Sequence, residues 1–314
     1  MKHNKKITLI LICMFIITQL IGLLVVSSYN NGIELPFGME PPEDIKESSL
    51  VGGLSSIITA FFIAILLFFL LMRINAHTFI RLWYFFVTTL ALGLTIYVVL
   101  FLIGIDSQII SLIFALPLSY IKVFKRNLWI HNITELLIYP GIAAVFISFL
   151  DNVFGPKVIL ATIIILFIIS IYDIWAVWHS KVMQKMAEFQ MNNLKFFTGF
   201  FVPYADKKEK EKIRLLKEKN IGKTDSEIEK EFRKAKIKVN LAILGGGDVI
   251  FPIISAGIFY KNYGLISGLL ILVFSTIALS LLFVLAKKGK YYPAMPFITT
   301  GLYFGMWLSW MILG

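Results

Sequence analysis

Two aspartates lie inside apolar stretches of the chain, where charged side chains are rare. Asp173 is found in IISIYDIWAVW and Asp248 in LAILGGGDVIFP. A charge held inside a bilayer costs roughly 3 kcal/mol or more, so each aspartate is a candidate functional residue. If the two share a pocket, they cannot both ionise cheaply, and they titrate as one unit with a shared proton.

Such a pair can activate water. The ionised carboxylate accepts a proton from water, while the neutral carboxylic acid polarises the carbonyl group that the water attacks. The same two residues also suit structural hydrogen bonding or an ion path through a membrane. Their depth and charge alone leave these three interpretations open.

The composition of the chain places both aspartates in a membrane protein. Of the 314 residues, 58% are hydrophobic and only 16% are charged, against roughly 25% charged in soluble domains. This excludes an ordinary soluble protein, and it excludes disorder over most of the length. The net charge of +11 does not indicate a nucleic-acid partner, because 16 of the 30 Lys and Arg lie within residues 179–240, among 9 of the 19 Asp and Glu. This mixture is typical of a solvated loop.

Nine apolar stretches are long enough to be membrane-spanning helices. The first follows lysines but is longer than a signal-peptide core, so we predict that it remains as a helix. The predicted organisation is six helices in 1–178, a charged cytoplasmic loop in 179–240 and three helices in 241–314, an all-α polytopic membrane protein. The predicted spans are 7–27, 50–72, 82–104, 107–124, 133–150, 157–178, 241–260, 264–286 and 293–313.

The basic residues predict the orientation of these spans. Nine spans divide the connecting segments into two sets, and one set holds 27 Lys and Arg while the other holds 3. The bias remains 11 to 3 when the long loop, which counts for little, is left out. The positive-inside rule therefore predicts a cytoplasmic N-terminus and an extracytoplasmic C-terminus.

This orientation puts the two aspartates at the same depth. Asp173 precedes the end of span six by about five residues and Asp248 follows the start of span seven by about seven, so both lie about 7–11 Å below the cytoplasmic surface at 1.5 Å per residue. Arg81, Lys122 and Glu135 lie near span ends, where we expect their long side chains to reach the interface.

Three short motifs accompany the aspartates. Residues 172–173 read Tyr-Asp, residues 245–248 read Gly-Gly-Gly-Asp, and residues 293–296 read Pro-Ala-Met-Pro. In their order and span positions they resemble the YD, GxGD and PAL motifs of the presenilin and signal peptide peptidase family of intramembrane aspartyl proteases. Met295 stands where the family has Leu, a change that conserves volume.

The resemblance implies a presenilin-like fold and cleavage of substrate transmembrane helices by Asp173 and Asp248 with activated water. It also implies supporting or substrate-binding roles for Tyr172, Gly245, Gly247, Pro293, Ala294 and Met295. We expect no cofactor and no metal, because two carboxylates and water suffice. The expected partners are substrate helices and the lipid bilayer, without nucleic acid; accessory subunits stay open.

The glycines and prolines also have a physical interpretation of their own. Gly245 and Gly247 leave the backbone beside Asp248 uncovered, whereas for Gly246 we expect simple helix packing. Pro293 and Pro296 predict an irregular start to span nine near both carboxylates. A peptide bond inside a helix is shielded, so we expect the substrate to unwind and pair with a strand from the end of the loop or the residues before Pro293.

The predicted orientation matches presenilins and is opposite to that of signal peptide peptidase, so a prokaryotic presenilin homologue in the cell membrane fits best. Prepilin peptidases also use a GxGD aspartate, but Ile250 occupies the position of their usual Lys. An ion channel or ion-coupled transporter using the same two aspartates is the alternative function, although the sequence shows no clear internal repeat. A non-catalytic membrane scaffold would tolerate Asp173→Asn and Asp248→Asn.

Overall fold

The structure, a computed structural model, describes residues 5–41, 49–125, 127–180, 198–204, 240–286 and 292–314, with a few isolated residues between 185 and 215. This part of the chain contains nine α-helices of at least 17 residues. They are α1 (Lys5–Asn30), α2 (Leu50–Arg73), α3 (His77–Leu102), α4 (Gln108–Phe124), α5 (Leu128–Phe154), α6 (Val158–Ile174), α7 (Gly246–Tyr263), α8 (Leu265–Leu285) and α9 (Met295–Leu313).

The apolar runs form helices because a helix satisfies every backbone hydrogen bond internally, as lipid requires. Each predicted span overlaps one helix, which confirms a helical membrane protein. By length and composition, six stretches of the described residues could cross a membrane, and one of them, Leu128–His179, contains both α5 and α6. A count of nine spans and the orientation of the termini stay predictions.

Helix α1 lies at the centre of the bundle and packs against α5, α7 and α8. Its buried side chains include Leu11 and Phe15, which join Ile253 of α7 and Ile271 of α8 in the main hydrophobic core. Helix α9 packs along α8 and also contacts α6 and α7. These contacts bring the ends of α6, α7 and α9 together. Helix α2 is the least buried of the long helices, with Gly53 as the only buried residue in its range.

The prediction of helix from residue 241 is wrong over its first five residues. Residues Asn240–Gly245 form a strand, β2, which pairs antiparallel with β1 (Gly199–Tyr204). Burial alternates along residues 241–244, which is the period of a strand. A run of six mainly apolar residues is too short for periodicity to separate strand from helix. The fold is therefore helical, as predicted, apart from this two-stranded sheet, and α7 begins only at Gly246.

Candidate active site

Asp173 lies one residue before the end of α6 and is buried, with 5% of its surface exposed. Its Oδ2 accepts a hydrogen bond from the backbone N–H of Met295 at 3.0 Å, and the backbone N–H of Ala294 donates to the same carboxyl group. Ala294 is the N-cap of α9. Because the first N–H groups of a helix have no partner within it, this segment supplies free donors to the carboxylate.

Asp248 lies in the first turn of α7, three residues after the N-cap Gly245. Its carboxyl group accepts a hydrogen bond from the backbone N–H of Gly245. This is half of a capping box, in which the third helical residue reaches back to the N-cap N–H. A Cβ on Gly245 would lie only 3.1 Å from Oδ2 of Asp248, so glycine leaves room for the carboxyl group.

The two carboxyl groups are close enough to interact electrostatically, and α6 and α7 are in contact. Asp173 caps the N-terminus of α9 and Asp248 lies at the N-terminus of α7. The positive ends of two helix dipoles therefore converge on the pair, which favours negative charge there. Two like charges with this support can hold one proton and one charge between them, as general acid–base chemistry on water requires.

The three glycines before Asp248 have different surroundings. Gly246 is buried, and a Cβ there would lie 3.0 Å from the ring of Tyr139 in α5, so this glycine serves helix packing. Gly247 is exposed, and a Cβ there would meet only Phe251, at 3.9 Å. No contact within the described residues therefore requires a glycine at position 247.

Tyr172 lies next to Asp173 near the end of α6. Its ring packs edge-to-face on Phe61 of α2, with centroids 5.1 Å apart, and contacts Trp175 in the π-helical turn Trp175–His179 that continues α6. The ring therefore contributes to the contact between α6 and α2. Of the residues predicted for the site, Gly245, Ala294 and Met295 contact the two aspartates, and Pro293 directly precedes this contact.

Sequence reasoning missed several polar residues that hold these elements. Gln19 of α1 donates from Nε2 to the carbonyl oxygen of Val249, the residue after Asp248, at 2.9 Å. The hydroxyl groups of Ser170 in α6 and Thr299 in α9 form a hydrogen bond at 2.8 Å. A lone buried amide in an apolar helix is a signal that could have identified Gln19, whereas hydroxyls are too common in membrane helices to stand out.

The expectation that Lys122 and Glu135 reach the membrane surface is wrong. Their side chains are each 1% exposed, and Lys122 Nζ of α4 lies 2.5 Å from Glu135 Oε1 of α5. The two charges neutralise each other inside the bundle, which removes the need to reach water.

Comparison with known proteins agrees with this arrangement. The sequence model of the family described as Signal-peptide peptidase, presenilin aspartyl protease matches residues 12–314. No curated protein matches the chain. A solved structure of a presenilin family intramembrane aspartate protease in a C222 space group has a TM-score of 0.58 and 18% identity, over 97% of this chain and 99% of that one. Another, in a P2 space group, has a TM-score of 0.57 and 17% identity, over 96% of each chain.

At this identity the two structures establish the fold, and the family match establishes the class of protein. The three motifs recognised in the sequence lie within the matched residues. The chain therefore belongs to the signal-peptide peptidase and presenilin family of aspartyl proteases, and it is an intramembrane aspartic endopeptidase.

Proposed function

We propose that the protein hydrolyses peptide bonds within the transmembrane helices of substrate proteins, with Asp173 and Asp248 as the catalytic pair. One observation carries the proposal: Asp173 binds the N-terminal backbone of α9, Asp248 lies in the first turn of α7, and α6, α7 and α9 are in mutual contact. Family membership favours this function over ion transport by the same aspartates.

The reaction needs only the pair and water. The ionised carboxylate removes a proton from water, whose oxygen bonds to the scissile carbonyl carbon, while the neutral carboxylic acid donates its proton to the carbonyl oxygen. When the tetrahedral intermediate collapses, the carboxyl group that took the proton from water donates it to the leaving nitrogen and the C–N bond breaks. One hydroxyl of the intermediate returns its proton to the other carboxylate as the carbonyl reforms. The pair is left with one proton, as it began. The N–H groups of Gly245, Ala294 and Met295 keep both carboxyl groups in place.

A substrate helix must unwind before its peptide carbonyl can reach the pair. Strand β2 lies at the end of the long loop, where the sequence led us to expect a pairing strand, and it runs directly into the turn that carries Asp248. An extended substrate segment paired with β2 would therefore end beside the catalytic pair.

The predicted orientation assigns a polarity to the substrate. With a cytoplasmic N-terminus, β2 runs from the cytoplasmic loop toward the membrane. A substrate whose N-terminus is outside runs from the membrane toward the cytoplasm, and it would pair antiparallel to β2. We expect such substrates in a prokaryotic cell membrane.

Cleavage of a single-span reporter by the purified, reconstituted protein tests the proposal. Products are mapped by mass spectrometry for the unchanged protein, Asp173→Asn and Asp248→Asn. Asp106→Asn is the matched control, because Asp106 accepts a hydrogen bond from the Tyr97 hydroxyl at 2.7 Å, and an asparagine oxygen can accept it too.

We expect cuts within the membrane span of the reporter, lost by about 1,000-fold or more in either catalytic variant and retained in Asp106→Asn. Cleavage that survives in Asp173→Asn or Asp248→Asn would overturn the assignment of the pair. Failure of the unchanged protein to cut any of several single-span reporters of either polarity would overturn the proposed function.

A further inference from the structure

We propose that polar side chains of α5 occupy the outer edge of β1 and so hold the sheet in the position where β2 presents substrate to the catalytic pair. Asn132 is the main positioning residue of this contact. The inference rests on the proposed function and adds to it a residue that sets where the substrate is cut.

Asn132 binds β1 as a neighbouring strand would. Its Nδ2 donates to the carbonyl oxygen of Phe201 at 2.8 Å, and its Oδ1 accepts from the backbone N–H of Phe201 at 3.0 Å. The side-chain amide of asparagine presents an N–H donor and a carbonyl acceptor, as a backbone peptide group does. Both outward groups of Phe201 are thereby satisfied.

Gly199 is the next residue of β1 whose backbone groups point outward, and side chains of α5 bind it too. His131 Nε2 lies 2.8 Å from the carbonyl oxygen of Gly199, which assigns the ring proton to Nε2 because a carbonyl only accepts. The backbone N–H of Gly199 donates to Glu135 Oε1 at 3.4 Å. Lys122 Nζ contacts both His131 Nδ1, at 3.3 Å, and Glu135. The buried ion pair therefore supports the residues that bind the strand.

These contacts determine which edge of the sheet is open. In an antiparallel pair, a residue whose N–H and carbonyl point outward faces a partner whose groups also point outward. Phe201 pairs with Ile243, and Gly199 pairs with Gly245. Ile243 and Gly245 therefore direct their backbone groups to the far edge of β2, and the bond from Gly245 N–H to Asp248 agrees with this direction.

One face of β2 is partly exposed and the other is buried. Leu241 and Ile243 are 38% and 36% exposed, whereas Phe200 and Ala242 are fully buried. Since α5 occupies the edge of β1, an extended peptide can add only to β2 in the described sheet. A shift of β1 along α5 would carry β2 with it, and β2 is continuous with the turn that holds Asp248.

Two substitutions test whether Asn132 positions the sheet. Asn132→Ala removes both hydrogen bonds to Phe201, and Asn132→Asp preserves the shape but loses the donor to the Phe201 carbonyl. Asn262→Ala is the matched control: Asn262 also donates from Nδ2 to a backbone carbonyl, that of Ile258, at 2.8 Å, and it lies 14 residues after Asp248 in α7, about 21 Å along the helix. Each protein is assayed with the reporter for KM, kcat, cut positions and amide hydrogen exchange.

For both Asn132 variants we expect a KM raised about tenfold, a larger share of cuts at neighbouring bonds, and faster exchange in 199–204 and 240–245 than in the helices. Asn262→Ala should retain the original cuts and KM. Unchanged KM and cut positions in folded Asn132→Asp, or activity lost only in proportion to unfolded protein, would overturn the inference. The variants are compared only if the unchanged protein cleaves the reporter. A negative result for Asn132 can therefore be distinguished from failure of the proposed function.

Discussion

Two pairs of ionisable side chains lie within the bundle, and the pairs differ in how their charges are supported. Lys122 and Glu135 carry opposite charges, lie 2.5 Å apart and are each 1% exposed. Asp173 and Asp248 are two carboxyl groups that cannot both ionise cheaply, and they receive hydrogen bonds from the backbone at two helix N-termini.

This difference separates a structural pair from the pair that we propose to be catalytic. An oppositely charged pair satisfies itself, and its role is to hold α4, α5 and β1 together. Two ionised carboxyl groups repel each other, so the pair retains a proton that it can donate and accept again. The proposed catalytic pair also lies beside Gly247, which is exposed, so a substrate could approach from this side.

The largest effect that tests this comparison is on stability. Lys122→Met leaves Glu135 buried without its cation, and we expect the free energy of unfolding to fall by about 3–5 kcal/mol, because an unpaired buried charge is strongly unfavourable. Thermal unfolding of the purified protein in detergent measures the change. Asp173→Asn should instead leave stability the same or higher, because it replaces a carboxyl group that cannot ionise cheaply beside Asp248.

The double variant Lys122→Met with Glu135→Leu is the control for this experiment. Replacing a whole buried ion pair by apolar side chains is often close to neutral, so most of the lost stability should return. If Lys122→Met and Asp173→Asn destabilise the protein equally, the distinction between the two pairs is contradicted.

A second test concerns access to the catalytic pair. Gly247→Ala creates no close contact, since the nearest atom to the new Cβ lies 3.9 Å away, and alanine favours helix by about 1 kcal/mol over glycine. We expect unchanged or slightly higher stability, with a KM raised about tenfold (about 1.4 kcal/mol) because a methyl group would obstruct a substrate backbone. Reporter cleavage and thermal unfolding separate the two effects.

Gly246→Ala, at the neighbouring residue, should instead lower stability. Its Cβ would lie 3.0 Å from the Tyr139 ring, and overpacking of this kind costs about 1–3 kcal/mol of stability. A normal KM in stable Gly247→Ala would show that substrate does not approach on this side.

The smallest expected effect is at Tyr172, which contacts α2 rather than the backbone donors of the pair. Tyr172→Phe retains the ring that packs on Phe61, so cleavage should stay within about twofold of the original. Tyr172→Ala removes an edge-to-face contact worth about 0.5–1.5 kcal/mol, which thermal unfolding would detect. A loss of activity above tenfold in Tyr172→Phe would assign the hydroxyl a direct part in the reaction.

The sequence predicts much of this protein because a bilayer makes strict demands on local composition. Nine apolar runs predict nine helices, and the starts of the corresponding helices lie within five residues of the predicted starts. Asp173 and Asp248 are recognisable because a carboxylate is costly in an apolar run, whatever surrounds it.

Other features could not be predicted because they depend on residues far apart in the chain. β2 is a strand because Ala242 and Leu244 face the core while β1 pairs beside them, and β1 lies about 40 residues earlier. Lys122 was expected at the surface because nothing in its neighbourhood indicates that Glu135 would face it.

The sequence by itself determined the membrane environment, the helices and the two aspartates, since each follows from the cost of exposing polar groups to lipid over a few neighbouring residues. Only the tertiary structure decided that the N–H groups of Ala294 and Met295 donate to Asp173, that Asn132 occupies the edge of β1 and that β2 leads into Asp248. These are hydrogen bonds between distant segments, and their directions are set only when the helices pack.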